Sequence, residues 1–336
     1  MEIYYLLAFP DSEETTAQPV EKIKGLKDAP YFQQIDIDLV NIGSETLVIE
    51  GHAVAVERQR YDDVVQMVEC HFDLGDPFAA SVLQQRTKIE NVIQSRYIPE
   101  TYRQSGLFEE YTILLVNEAK PTSDKWIEKN ALPISKFIRS QREVFDKPEM
   151  KEILSSRTRY SENELTLVDW EGAVIIAPQN DFQSDIVLFK IGNYQLLRYR
   201  MLDQSIEELL DKINESFFQN KRRPRATRGV IRQIAEHKLQ VMLNFERAEQ
   251  SLLFIGDWYT TKLYETIHDE FYLKDWKESI KTKLDSIENI VQTIQENFAL
   301  SFETLMDRLQ MLGWVLLLLG YLYLYALDAG LLHLSK

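Results

Sequence analysis

The sequence predicts an α/β (or α+β) N-terminal domain, a long-helix domain behind it, and one transmembrane helix at the C-terminus. Three observations lead there. Residues 1–180 alternate β-branched or aromatic runs with helix-like stretches. Residues 181–310 carry apolar side chains at helical spacing. Met311 to Leu327 is then seventeen residues without a charge.

The totals fit that plan. A chain of 336 residues has room for two soluble modules and an anchor, and 27% charged with 45% apolar residues is a globular balance. A net charge of -15 argues against a duplex-binding surface over the whole chain, because phosphate binding needs a basic footprint. Cys70 is alone, which rules out an internal disulfide framework and a thiolate zinc site.

The elements follow in order. Met1-Glu2-Ile3-Tyr4-Tyr5 has no basic leader and is expected as a first strand over Ile3–Phe9 rather than a signal peptide. Further strands are expected over Ile35–Val40, Thr46–Glu57 and Tyr111–Val116, and helices over Pro77–Ser95 and Ser123–Gln141. Leu165–Trp170, a Glu171-Gly172 turn and Ala173–Ile176 form an expected hairpin.

After Pro178 the texture turns helical. Residues 182–218 end in Ile206, Leu209, Leu210 and Ile213, and a second helix shows Ile231, Ile234, Val241, Phe245 and Ala248. Asp257 is placed to cap a short helix through Trp258, Leu263 and Ile267. Asp275 and Glu278 have the spacing of a capping box. From there Ile280, Leu284, Ile287, Val291, Ile294, Phe298, Phe302, Leu305 and Leu309 make a near-continuous seam, as in helices that pack on other helices. With no Pro or Gly before Gly313, one helix is expected from about Trp276 to about Leu327. The seam predicts a homo-oligomer.

The anchor is expected over 311–334. Met311 opens it, Trp314 lies near one end, Gly320 sits mid-span, and Tyr321, Tyr323 and Tyr325 crowd the other end, where amphipathic rings prefer the headgroups. Asp328 is expected in the far headgroups, with a place inside a helix bundle as the alternative. With no N-terminal targeting signal, the soluble domain is expected on the cytoplasmic face of a single-pass protein, and Arg308, Lys283 and Lys281 on the domain side against Lys336 on the far side agree.

Phe254-Ile255-Gly256-Asp257-Trp258-Tyr259, the run Phe271-Tyr272-Leu273-Lys274-Asp275-Trp276, Lys283-Leu284 and the tail from Leu309 resemble the CorA-like superfamily. The nearer likeness is to its single-span branch, the membrane proteins required for meiotic nuclear division and their bacterial relatives. The resemblance covers about residues 225–330 and implies a soluble domain, a stalk and a terminal span. Where CorA channels carry Tyr-Gly-Met-Asn, this span opens Met311-Leu312-Gly313-Trp314, and the second span of those channels is missing.

Chemistry-bearing motifs are sparse. His52, His71, His237, His268 and His333 are scattered, and Cys70 and His71 would face opposite sides of a strand. Neither a phosphate-binding glycine loop nor a nucleophile elbow is present, so no catalytic, metal or cofactor residue is assigned. Ile191–Arg200 reads either as a recognition surface or as a packed helix. Lys221, Arg222, Arg223, Arg225 and Arg228 form the one basic cluster, a contact for anionic lipid rather than nucleic acid, or a solvated linker. The expected function is a non-enzymatic, tail-anchored, self-associating membrane protein that binds or senses a partner or ligand. The alternatives are a CorA-like divalent-cation transporter and a membrane-tethered enzyme.

Overall fold

A computed structural model describes residues 1–11, 21–23, 35–117, 119–120, 122–141, 145–215, 232, 235–236, 239–246 and 258–328. Within them nine strands form one mixed sheet: β1 Glu2–Pro10, β2 Glu21–Ile23, β3 Ile35–Ile49, β4 His52–Tyr61, β5 Val65–Phe72, β6 Glu109–Val116, β7 Arg157–Arg159, β8 Leu165–Val168 and β9 Gly172–Ile176. Their order is β2-β3-β4-β5-β1-β6-β9-β8-β7, and only the β6–β9 pair is parallel.

Strand periodicity gives the sheet two buried faces. Along β1, Ile3, Tyr5, Leu7 and Phe9 point into one core, and Leu6 and Ala8 into the other. The first core is closed by α1 (Ala80–Tyr97), α3 (Ser123–Lys129), α4 (Ala131–Ile138) and α5 (Lys147–Ile153), with Ile89, Ile93, Ile127, Phe137 and Ile153 buried there. A short α2 (Glu100–Ser105) links α1 to β6 and ends on left-handed Gly106. The second core is closed by α6 (Gln183–Asn214), α7 (Trp258–Glu270) and the upper part of α8 (Leu273–Asp328). Gly192 lets α6 and α7 approach: a Cβ there would sit 2.6 Å from Ile267 Cγ2 and 3.2 Å from the Phe271 ring.

The α/β domain, the long helices and the terminal span all stand as the sequence predicts, and the Glu171-Gly172 hairpin is present as β8–β9. Details differ. The strand expected over Thr46–Glu57 crosses a tight turn at Glu50 and Gly51, both with positive φ, so its halves belong to β3 and β4. The helix expected over Ser123–Gln141 breaks at Asn130, whose φ of -107° and ψ of 20° leave the helical region. Asp275 does not cap α8. The helix starts at Leu273 after left-handed Tyr272, so Asp275 lies in its first turn and still complements the positive end of the helix dipole.

Residues 181–310, expected as a separate stalk domain, begin with the second helical layer of the sheet domain, because α6 and the sheet share one core. Ile280, Leu284 and Ile287, placed above on a seam between copies, are buried within the chain. They join Leu202, Ile206, Leu209 and Ile213 of α6 in that core, and Val291 packs on its margin. Lys283 reinforces the contact by pairing with Asp203 and, at 3.5 Å, with Glu207 of α6. The side chains of Ile294, Phe298, Phe302 and Leu305 lie outside the described ones, as do Ile231, Ile234, Ala248 and Asp257.

α8 continues past Val291 to Asp328. Its 56 residues are about 84 Å long at 1.5 Å per residue. Met306–Ala326 is the one helix among the described residues long and apolar enough to cross a membrane, and none of its most apolar stretch is buried. Its 21 residues reach about 31 Å, close to a hydrocarbon core of roughly 30 Å. Met311, Trp314, Tyr321 and Tyr325 are exposed on it, and nothing packs within 4 Å of where a Cβ on Gly320 would be. Asp328 ends α8 with its side chain outside the described ones. The expected continuation to 334 and the basic cluster at Lys221, Arg222, Arg223, Arg225 and Arg228 lie outside the described residues.

Candidate functional site

The sheet contains a gap. β6 begins at Glu109, but its parallel neighbour β9 begins only at Gly172, opposite Thr112. The first three residues of β6 therefore lack a partner on that side, although they pair with β1 on the other. The β8–β9 turn folds away, held by the Tyr111 hydroxyl donating to the Asp169 carbonyl at 2.7 Å. The space left is a cleft of about 440 Å³.

Strand alternation sends Glu110 and Thr112 towards α1, and Glu109 and Tyr111 towards α6, so the cleft wraps around the strand end. Glu90 of α1 and Glu171 of the turn complete four lining carboxylates. Phe108, Tyr111, Trp170 and Phe271 supply aromatic walls, and Asn193 and Leu196 of α6 form the back. Trp170 stands edge-on to Phe271 with centroids 6.2 Å apart and leans on Tyr272 at 5.7 Å. It remains 41% exposed, so it forms part of the rim.

No lysine, arginine or histidine lines the cleft among the described residues, but three arginines stand behind it. Arg86 lies 3.1 Å from Glu90, and donates to the Phe137 carbonyl at 2.7 Å and to the Ser140 hydroxyl. Arg139 binds Asp169 at 2.9 Å and approaches Glu171 at 3.6 Å. Arg200 grips Glu109 together with the carbonyls of Phe108 and Gly106. Each guanidinium is thus shared with acceptors other than the lining carboxylate. Glu110 accepts from the Tyr5 hydroxyl at 2.8 Å and from Gln94. Counting Asp169, five carboxylates meet three arginines.

The electrostatics record that imbalance. Burial pushes the Glu109 carboxyl up to about 7, against the pull of Arg200, and Glu110 adds to the rise. Burial also raises Glu90, with Arg86 and the Thr112 hydroxyl opposing. Asp169 and Glu171 are raised for the same reason, with Arg139 opposing both. Raised carboxyls around one cavity mark a place where negative charge lacks full compensation.

Gly172 secures the geometry. A Cβ there would meet the Thr112 carbonyl oxygen at 2.8 Å, and a backbone atom cannot turn aside as a side chain does. Gly172→Ala should lower stability by about 1–3 kcal/mol through overpacking. Thermal unfolding checks this: a variant melting with the parent would show that the β6–β9 pair can spread without cost.

Among the described residues, the one candidate read from sequence that reaches this cleft is Ile191–Arg200: Asn193 and Leu196 line it, and Arg200 binds Glu109 behind it. The segment is packed, buried throughout except for half-buried Arg200, as its packed-helix reading expects. His71 sits 2.8 Å from Glu2, and among the described residues no group of three His, Cys, Asp or Glu is placed to hold a metal ion. Burial pushes the Cys70 thiol up to about 12, which makes it an inert core residue. The other cleft residues were missed because they come from α1, β6, a turn and the α7–α8 joint. The faint local signals were Glu109-Glu110 ahead of an apolar strand and Trp170-Glu171 in a turn.

Comparison with known proteins bears on the sheet domain. The family described as the N-terminal domain of the uncharacterized protein MJ0711 matches residues 12–183, just over half of the chain. MJ0711 itself, from Methanocaldococcus jannaschii, is 23% identical over 212 residues, which are 61% of this chain and 63% of that protein. The match thus spans less than two thirds of that relative's length. No solved structure matches. The family region holds Glu90, Glu109, Glu110, Trp170 and Glu171, and stops where α6 begins. The chain belongs to the family of the MJ0711 N-terminal domain.

Proposed function

We propose that this protein is a non-enzymatic membrane-tethered sensor whose soluble domain, on the cytoplasmic side, takes a small ligand in the acidic cleft. The observation that carries this reading is the position of Phe271. It is a cleft wall, and it lies two residues before Leu273, where the helix leading to the apolar span begins. Between them Tyr272 holds a left-handed backbone at φ 51°, a costly conformation for a bulky residue, and its ring rests on Trp170. An occupant of the cleft reaches Phe271 just before this joint and Trp170, which supports Tyr272 within it, so it is placed to bias how α8 leaves the domain.

The resemblance to the CorA plan supports the order of domain, stalk and span, and we propose it at that level. Self-association, in this reading, runs through α8 beyond Val291, since the seam above it is already used within the chain.

Thermal unfolding of the detergent-solubilised full chain, screened against cationic, anionic and neutral small molecules, tests the reading. One class should raise Tm by several degrees, since saturation at 100 times Kd contributes about 2.7 kcal/mol. Trp170→Ala should remove the shift. No stabilising class, or a shift that survives Trp170→Ala, would sink the cleft as the binding site. Turnover of the stabilising compound would make the protein an enzyme.

A further inference from the structure

We infer that the cleft is built for a small organic cation, an amine or guanidinium on a short apolar body; this rests on the cleft being the ligand site. Three features of the cavity converge on that chemistry. The four acidic residues on its walls are matched by no lining cation, and the arginines behind them are committed elsewhere as well. An anionic ligand would meet repulsion on every side. A bare divalent ion fits poorly, because the carboxylates do not converge as a set of three metal ligands.

The walls between the carboxylates decide the rest. Phe108, Tyr111, Trp170 and Phe271 offer apolar and π surface, which stabilises the alkyl body and the delocalised charge of an organic cation but not a hydrated metal ion. The volume, about 440 Å³, falls in the range of small-molecule sites, roughly 300–1,000 Å³. Polarity is also graded. Glu110 and Glu171 are exposed at the mouth, whereas Glu90 is buried on Thr112, whose hydroxyl donates to it at 2.9 Å. The mouth pair is where a positive head docks, with the body packed against Trp170 and Phe271.

A pH dependence follows. Glu109 faces Arg200 from α6 and Glu110 on its own strand, with Glu90 of α1 and Glu171 of the turn also lining the cleft. With its carboxyl pushed up to about 7, Glu109 takes a proton as pH falls below that value, and the cleft loses negative charge. Cation affinity should therefore be higher at pH 8 than at pH 6.

Isothermal titration of the full chain in detergent, with agmatine and spermidine as cations, glutarate as anion and 1,4-butanediol as neutral probe, tests the inference. At least one cation should bind one site per chain and bind more weakly at pH 6. Combined Glu110→Gln and Glu171→Gln, both at exposed positions, should weaken it at least tenfold, while glutarate and butanediol give no saturable heat. Cation binding unchanged by the double variant would overturn the inference. So would binding of glutarate or butanediol that Trp170→Ala abolishes, which would leave the cleft as a site for another class. Silence of all four probes overturns the cation, and the broader screen then decides the cleft.

Discussion

A chain ending at Leu305 should leave the membrane fraction completely and keep the melting temperature of the parent. The span contributes nothing to the fold: Leu317 is 69% exposed, Tyr321 74% and Leu324 64%. It does present a continuous hydrocarbon surface, and each leucine near the centre of a bilayer is worth about 0.3–0.6 kcal/mol of insertion free energy. Leucine occupies positions 312, 316, 317, 318, 319, 322 and 324, so these residues alone supply about 2–4 kcal/mol, before the aromatic residues and Val315 are counted. Fractionation with a carbonate wash, followed by thermal unfolding of the released protein, reads both parts. Retention of the shortened chain in the pellet would reveal a second attachment, and a lowered Tm would mean that the span packs on the domain.

The second large effect concerns the head of the same helix. Ile280→Asp or Ile287→Asp should strongly destabilise the fold, because both side chains are 0% exposed in the core that holds Leu202, Ile206 and Leu209. An uncompensated carboxylate in such a place costs several kcal/mol, about 3–5 by comparison with broken buried ion pairs. A domain stable by about 5–15 kcal/mol loses much of its margin. Circular dichroism should show a melting transition lowered by 10 °C or more, or none at all. If both variants melt with the parent and only the oligomeric mass changes, the seam joins copies of the chain rather than α8 to α6.

That contrast shows what the sequence makes legible. Spacing of 4 and 3 along Ile280, Leu284 and Ile287 states that one face of a helix is covered. It does not state by what, since α6 lies some seventy residues upstream and presents the same chemistry as a second chain would. The span, the strand at Ile3–Phe9 and the Glu171-Gly172 hairpin were readable because each is a local pattern. Glu50-Gly51 was not, because it interrupts a run of β-branched residues without the stronger asparagine-glycine signal. The cleft was the least legible feature. It arises where β9 starts three residues later than β6, a register that no local pattern records.

The length of α8 also bears on how the protein would meet a charged surface. Between Val291, which packs on the margin of the core, and Met306, where the apolar stretch starts, the helix rises about 22 Å over fifteen steps. Electrostatic potential in physiological salt decays over about 8 Å, so anionic headgroups are felt at that height at only about a twentieth of their surface strength. A chain carrying a net charge of -15 would thereby be spared most of the repulsion that close apposition to such lipids imposes. Beside an anionic bilayer, that length of α8 would act as an insulating spacer for an acidic domain.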